Sequence, residues 1–224
     1  MTRAPALDVF YPIVPDVAWM RRLAPLGVKT VQLRLKDASD DEARRQIAEC
    51  LALSRQHGFQ LIVNDYWQLA IEMGADYVHL GQEDLAAADI GAIKAHNIWL
   101  GVSTHDESEL AAALIARPDY VALGPIYPTK LKVMKWAPQG LERVRAWKQR
   151  IGKLPLVAIG GITPALAGGV LEAGADSVAV ITDFLTHVQP EDRIATWVSW
   201  ANTAQGRQSI AEKSTEIDCD SRND

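Results

Sequence analysis

Six stretches of this sequence combine residue types and spacings suited to chemistry on an anion. In VQLRLK, Val31 to Lys36, the polar residues Gln32, Arg34 and Lys36 alternate with Val31, Leu33 and Leu35. At the two-residue period of a strand, the polar side chains share one face and present two cations together. IVNDY sets Asn64 and Asp65 at the end of a second apolar run, and GQEDL sets Asp84 just after a third. Carboxylates at the ends of adjacent strands, about 5 Å apart, can share one hard cation, and magnesium retaining several waters fits best. Helix N-capping is the competing account of each Asp. ALGPIYPTKLKV, Ala122 to Val133, is either a solvated turn or a trap for something anionic. Finally, AIGGIT supplies Gly160 and Gly161, and VITDF supplies Ile181 and Thr182, where free backbone amides can receive a phosphate.

These groups need a scaffold that gathers strand ends. Short apolar runs alternate with helix-period segments throughout, and they predict eight strands: Val9–Val14, Thr30–Leu35, Gln60–Val63, Tyr77–Leu80, Trp99–Val102, Tyr120–Leu123, Leu156–Ile159 and Ser177–Ile181. Ser39 with Glu42 forms a capping box before a helix whose inner face carries Ala43, Ile47, Cys50, Leu51 and Ser54. Thr104 with Glu107, and Thr163 followed by Pro164, are further helix starts. GADYVHLG, PDYVALG and GADSVAVI each place an Asp just before a strand, so one αβ turn is reused. Units of roughly 25 residues fill the chain to about residue 204, the arithmetic of a single-domain (β/α)8 TIM barrel over 1–204. A doubly wound open sheet is the alternative. The polar segment 205–224 lacks periodicity and is expected to be a disordered tail. In a barrel, chemistry collects at the carboxyl ends of the strands, where all six stretches fall. Polar residues between the apolar, helix-facing ones of a barrel strand point to the interior or its mouth, so Arg34 and Lys36 would meet an anionic ligand there.

Composition narrows the field. With 224 residues and 48% hydrophobic content the chain can build one sizeable core, and a net charge of −5 supplies no field for nucleic acid. No apolar run reaches the ~18 residues of a membrane span, and the amino end has no signal-peptide core, which suggests a soluble cytoplasmic protein. Cys50 and Cys219 read as reduced thiols. His79 is expected to pack in a strand, His105 to sit at a helix start, and His57, His96 and His187 at helix ends. The residues alone imply a magnesium-dependent barrel enzyme acting on a phosphorylated or diphosphorylated small molecule.

The segments YPIV, VQLRLK, VNDY, GADYVHLGQEDL, GVSTH, ALGPIYPT, APQGL, VAIGGI and SVAVIT occur in an order that resembles the thiamine-phosphate synthase family over nearly the whole chain. The resemblance implies a barrel that joins 4-amino-2-methyl-5-(diphosphooxymethyl)pyrimidine to a thiazole phosphate and releases diphosphate, with Mg2+. It also implies site residues. Gln32, Arg34 and Lys36 match the diphosphate site, Asn64 the pyrimidine site, Asp65 and Asp84 the metal ligands, and Ser103 a position near the diphosphate. Thr129 and Lys132 match a Thr-x-Thr-Lys loop, with Lys132 reaching the leaving group. Gly161, Ile181 and Thr182 match the region that holds the thiazole phosphate. Arg34, Lys36 and Lys132 would carry the catalysis.

Two positions depart from the family pattern. Leu131 replaces a Thr beside an added Lys130, and Asp183 adds a charge that would repel phosphate if it pointed inward. The competing functions are a thiazole tautomerase-like paralogue, which needs no metal pair, a non-catalytic thiamine-phosphate or thiazole-phosphate binding protein, and a Schiff-base aldolase using Lys36. Partners are expected to be small molecules, with neither nucleic acid nor membrane, and a homo-oligomer is left open.

Overall fold

The computed structural model describes residues 5–129 and 136–203. Eight parallel strands close into a barrel in sequence order: β1 (Phe10–Val14), β2 (Thr30–Leu33), β3 (Gln60–Asn64), β4 (Tyr77–Leu80), β5 (Trp99–Thr104), β6 (Tyr120–Leu123), β7 (Leu156–Ile159) and β8 (Ser177–Val180). The open sheet is thereby excluded, because β8 pairs with β1. Around the strands run α1 (Val17–Leu23), α2 (Asp40–His57), α3 (Trp67–Met73), α4 (Gln82–Ala87), α5 (Ile90–Ala95), α6 (Glu107–Ile115), α7 (Gly140–Ile151), α8 (Pro164–Glu172), α9 (Thr182–Leu185) and a last helix over residues 190–203, α10.

Strand alternation divides the apolar residues into two cores. Val31, Leu33, Leu61, Val63, Val78 and Leu80 meet the helices, while Tyr11, Ile13, Ile62, Tyr77, Tyr120 and Val157 fill the interior. The polar Gln32 and Asn64 lie on the interior side and are buried. On the outside, α10 completes the ring by burying Ile194, Trp197 and Ala201, with the Trp197 ring stacked on Phe10 at 5.1 Å.

Local chemistry accounts for the helix and strand limits. Ser39 accepts the Glu42 amide at the start of α2, and Gly58 ends the helix in the left-handed conformation. The Glu42 carboxylate turns to Arg45 and Gln46 instead of back to the cap, so the expected box is half formed. Cys50 lies in the core, as the helical spacing predicts. Thr104 is not a helix cap. It closes β5, where its hydroxyl donates to the Ala122 carbonyl and accepts the Trp147 indole N–H, and Asp106 caps α6 instead. The repeated Asp before a strand is a physical repeat at two positions: Asp119 accepts the Leu100 amide and Asp176 the Leu156 amide, both at 2.8 Å. Each carboxylate ties the start of its own strand to the start of the preceding one. Asp76 accepts the Trp99 amide through its backbone carbonyl.

Candidate active site

The barrel gathers the described candidate residues at one mouth. Arg34 follows β2, with its amide donating to the Val14 carbonyl, and Lys36 lies two residues beyond it, exposed. That exposure removes the desolvation by which a Schiff-base lysine is usually activated. Asn64 ends β3, Asp65 follows it, and Asp84 stands in the first turn of α4. Ser103 lies in β5, Thr129 follows β6, Gly161 follows β7, and Ile181 and Thr182 follow β8. Lys130, Leu131 and Lys132 lie outside the described residues.

Asp65 and Asp84 form the electrostatic centre. Their carboxyl groups hydrogen-bond each other, and the Asp65 carboxylate accepts the Gly81 amide. The Asn64 amide donates to Asp65 as well. Burial, and then the charge of Asp84, push the Asp65 carboxyl up to about 6, against the pull of Gly81 and Arg34. Asp65 has a φ of 66°, a left-handed conformation that Asp tolerates better than most residues and that is often kept where a side chain must be aimed. Neither carboxylate caps a helix: Tyr66 stands at the N-cap of α3 and Gly81 at that of α4. Among the described residues no cluster of three or more His, Cys, Asp or Glu has metal-binding geometry. A two-carboxylate donor set nevertheless suits magnesium, which keeps waters and takes its remaining ligands from substrate phosphates. The raised Asp65 marks a pair that a divalent cation would relieve.

On the opposite side of the mouth, a cavity of about 400 Å³ is lined by Pro128, Thr129, Gly160, Gly161, Ile181 and Thr182. Its floor depends on Gly161. At φ 66°, a side chain there would strain the backbone and set its Cβ 2.5 Å from the Pro128 carbonyl oxygen. Asp183 also borders this cavity, but its carboxylate is turned to protein partners. Both of its oxygens are taken, by Arg193 Nε at 2.7 Å and Nη2 at 2.8 Å, and by the Trp197 indole N–H at 2.7 Å. The larger groove, about 570 Å³, crosses the outer helices α4, α5 and α6 and is lined mainly by apolar residues such as Leu85, Ile90 and Ile115. It holds no counterpart of the acid pair.

Several polar contacts at the mouth went unread in the sequence. Tyr11, Tyr120 and His79 link Gln32 to Ser103 across the interior. Gln82 donates to the Ser103 carbonyl at 2.6 Å. His105 binds Glu109 through both its amide and Nδ1, and its ring stacks on Trp136 at 4.0 Å. Burial, then the charge of Arg34, hold His79 down at about 3, so its ring is neutral. Arg34 thus faces both Asp65 and His79.

The comparisons with known proteins agree with this geometry. A family model described as thiamine monophosphate synthase matches residues 10–184, from the first strand into α9. The chain belongs to the thiamine monophosphate synthase family. It is accordingly an enzyme, a transferase of the thiamine-phosphate synthase type. It is 56% identical over 193 residues to the thiamine-phosphate synthase of Rhizobium etli, covering 86% of this chain and 95% of that protein. With the thiamine-phosphate synthase of Escherichia coli K12 the identity is 49% over 172 residues, covering 77% of this chain and 82% of that protein. Among solved structures, thiamine phosphate pyrophosphorylase from Pyrococcus furiosus superposes with a TM-score of 0.76 at 27% identity, over 88% of this chain and 96% of that one. No helix among the described residues is long and apolar enough to cross a membrane.

Proposed function

We propose that this chain condenses 4-amino-2-methyl-5-(diphosphooxymethyl)pyrimidine with a thiazole phosphate, giving thiamine phosphate and diphosphate. The observation that carries the reading is the contact between Asp65 and Asp84 under the influence of Arg34, across the mouth from a glycine-floored cavity. One side suits a metal and a diphosphate, the other a single phosphate. The rival tautomerase has no use for the acid pair.

Asp65 and Asp84 would hold Mg2+, which when bound supplies positive charge beside the leaving oxygens. Arg34 and Lys36 bind the diphosphate, Ser103 faces it from β5, and Gln32 stands behind them, buried in β2. Lys132 belongs to the same set by sequence. The methylene C–O bond breaks with its electron pair passing to diphosphate, and the aminopyrimidine ring spreads the positive charge left on carbon. The cations act where negative charge grows, which is electrostatic preorganisation. The loops after β7 and β8 hold the thiazole phosphate so that the ring nitrogen donates its lone pair to that carbon. The new C–N bond owes its rate to proximity, and the product thiazolium keeps the charge. No protein nucleophile is used.

The test is diphosphate release measured with each substrate alone and with both, in magnesium. Release coupled to thiamine phosphate formation, and only with both substrates, is the expected result. Tight thiazole-phosphate binding without turnover would make the chain a binding protein, and proton exchange on the thiazole without diphosphate release would make it a tautomerase.

A further inference from the structure

Five side chains from five strands form one hydrogen-bonded chain through the barrel interior. Gln32 Nε2 lies 2.6 Å from Tyr11 Oη, Tyr11 Oη 2.9 Å from Tyr120 Oη, Tyr120 Oη 2.8 Å from His79 Nδ1, and His79 Nε2 2.8 Å from Ser103 Oγ. Gln32, Tyr11, Tyr120 and His79 are all buried, and Ser103 alone reaches the mouth.

We infer that this chain runs in one direction, from Gln32 to Ser103, and commits the Ser103 hydroxyl hydrogen to an acceptor on the bound ligand. The inference follows from counting hydrogens. An amide nitrogen only donates, so Tyr11 accepts from Gln32, and the partner left for its single buried hydrogen is Tyr120. Tyr120 has then accepted, and it gives its hydrogen to His79 Nδ1. A neutral imidazole that accepts at Nδ1 carries its proton on Nε2, which donates to Ser103 Oγ. Ser103 is left with a hydrogen that no group in the chain receives. Its own carbonyl is engaged by Gln82, and the ligand mouth lies beyond. Both phenols are pushed upward by burial, so each keeps the hydrogen that this count requires. Turning the Gln32 amide over would reverse every bond and leave Ser103 with lone pairs only, which an anionic ligand would repel.

The fold makes room for this chain. In the sheet register His79 is level with Gly101, and Gly101 with Tyr120. Tyr120 therefore reaches His79 by crossing the empty place that Gly101 leaves on β5. A Cβ at Gly101 would stand 2.0 Å from Tyr120 Cζ and 2.3 Å from its hydroxyl. Tyr120 and His79 are thus positioning residues, acting on the ligand through Ser103.

The direction of the chain can be tested without substrate, while its effect on binding rests on the proposed synthase reading. In protein labelled with 15N-histidine, with His79 assigned by its loss in His79→Gln, the long-range proton–nitrogen correlation should show the Nε2–H tautomer. The Nδ1–H tautomer would overturn the inference. In Tyr120→Phe, His79 loses the donor at Nδ1 and should populate both tautomers. The same variant should raise KM for the pyrimidine diphosphate by about five- to tenfold, part of the loss of a bond to a charged acceptor. In the Tyr120→Phe, Ser103→Ala double variant the effect should be no larger than in Ser103→Ala alone. Multiplying KM effects would mean that Tyr120 acts by another route and would also overturn the inference. If Tyr120→Phe does not fold, the wild-type tautomer alone decides. If the wild-type chain shows no turnover, the synthase reading fails while the tautomer remains readable.

Discussion

Replacing Asp183 by Ala tests whether the charge beside the proposed phosphate cavity is a structural anchor or an intruder. In the fold, the Asp183 carboxylate is 12% exposed and its Arg193 partner 26% exposed. The second partner, Trp197, is fully buried. Removing the carboxylate leaves the indole N–H without its acceptor, at a cost of about 1–3 kcal/mol. It also breaks an ion pair; fully buried pairs lose about 3–5 kcal/mol in this way, and the partial exposure of Arg193 reduces that figure. A net loss of about 3 kcal/mol is expected, which for a chain of this size lowers Tm by about 6–12 °C. Asp183→Asn keeps an acceptor for Trp197 and should lose about half as much. Thermal melts and urea titrations of wild type, Asp183→Ala, Arg193→Ala and the double variant would measure the coupling, expected at about 1–3 kcal/mol. KM for the thiazole phosphate should not improve in Asp183→Ala. A Tm within about 1 °C of wild type, together with tighter phosphate binding, would show that the carboxylate faces the ligand and would refute the anchor.

Three further outcomes are expected. His79 has a folded pKa of about 3 against an ordinary value of 6.5, so the unfolded chain takes up a proton that the folded chain refuses. Stability should fall as the pH drops below 6.5, by about 1.4 kcal/mol per unit from this group. Between pH 7 and pH 5, wild type should lose about 2 kcal/mol more than His79→Gln in urea titrations, and parallel curves would contradict the neutral, buried ring. Gly161→Ala should raise KM for the thiazole phosphate with little change in KM for the pyrimidine diphosphate, because the added Cβ meets the Pro128 carbonyl at 2.5 Å in the loop of one side only; equal effects on both constants would place the two ligands in one undivided site. Asp65→Asn and Asp84→Asn should each lower kcat by about 100-fold or more and abolish the stabilisation that magnesium gives to wild type, and near-normal magnesium-dependent rates in both would remove them from the metal site.

Local rules account for part of how the mouth is assembled. A period of two fixed the inward face of Gln32, and loop position after the third and fourth strands was sufficient to bring Asp65 near Asp84. The strand limits moved by one or two residues: β2 stops at Leu33, and β5 runs on to Thr104. Thr104 looked like a cap because Glu107 follows it at the right spacing. Its hydroxyl instead finds Ala122 and Trp147, partners that only the closed barrel supplies. The orientation of Asp183 was likewise hidden, since it depends on Arg193 and Trp197 in a helix whose docking no local pattern reveals. Tyr11, Tyr120 and His79 each look like core filler in their own strands. Their connection spans strands β1, β6 and β4, and the gap at Gly101 that permits it has no signature beyond a single glycine.

The pairing of β1 with β8 has a consequence for how this chain is born. Phe10 leaves the ribosome long before its second neighbour in the sheet, Val178. At about 5–20 residues per second, roughly 10–30 s of synthesis separates them. Throughout that interval the outer edge of β1 has unpaired amides and carbonyls, and Phe10 waits for the Trp197 ring that will cover it. The growing polypeptide therefore carries an open, apolar-faced edge, the kind of surface that chaperones bind and that neighbouring nascent chains can join. Closure must be the final act of assembly, and the mouth that gathers residues from both ends of the chain comes into being only with it.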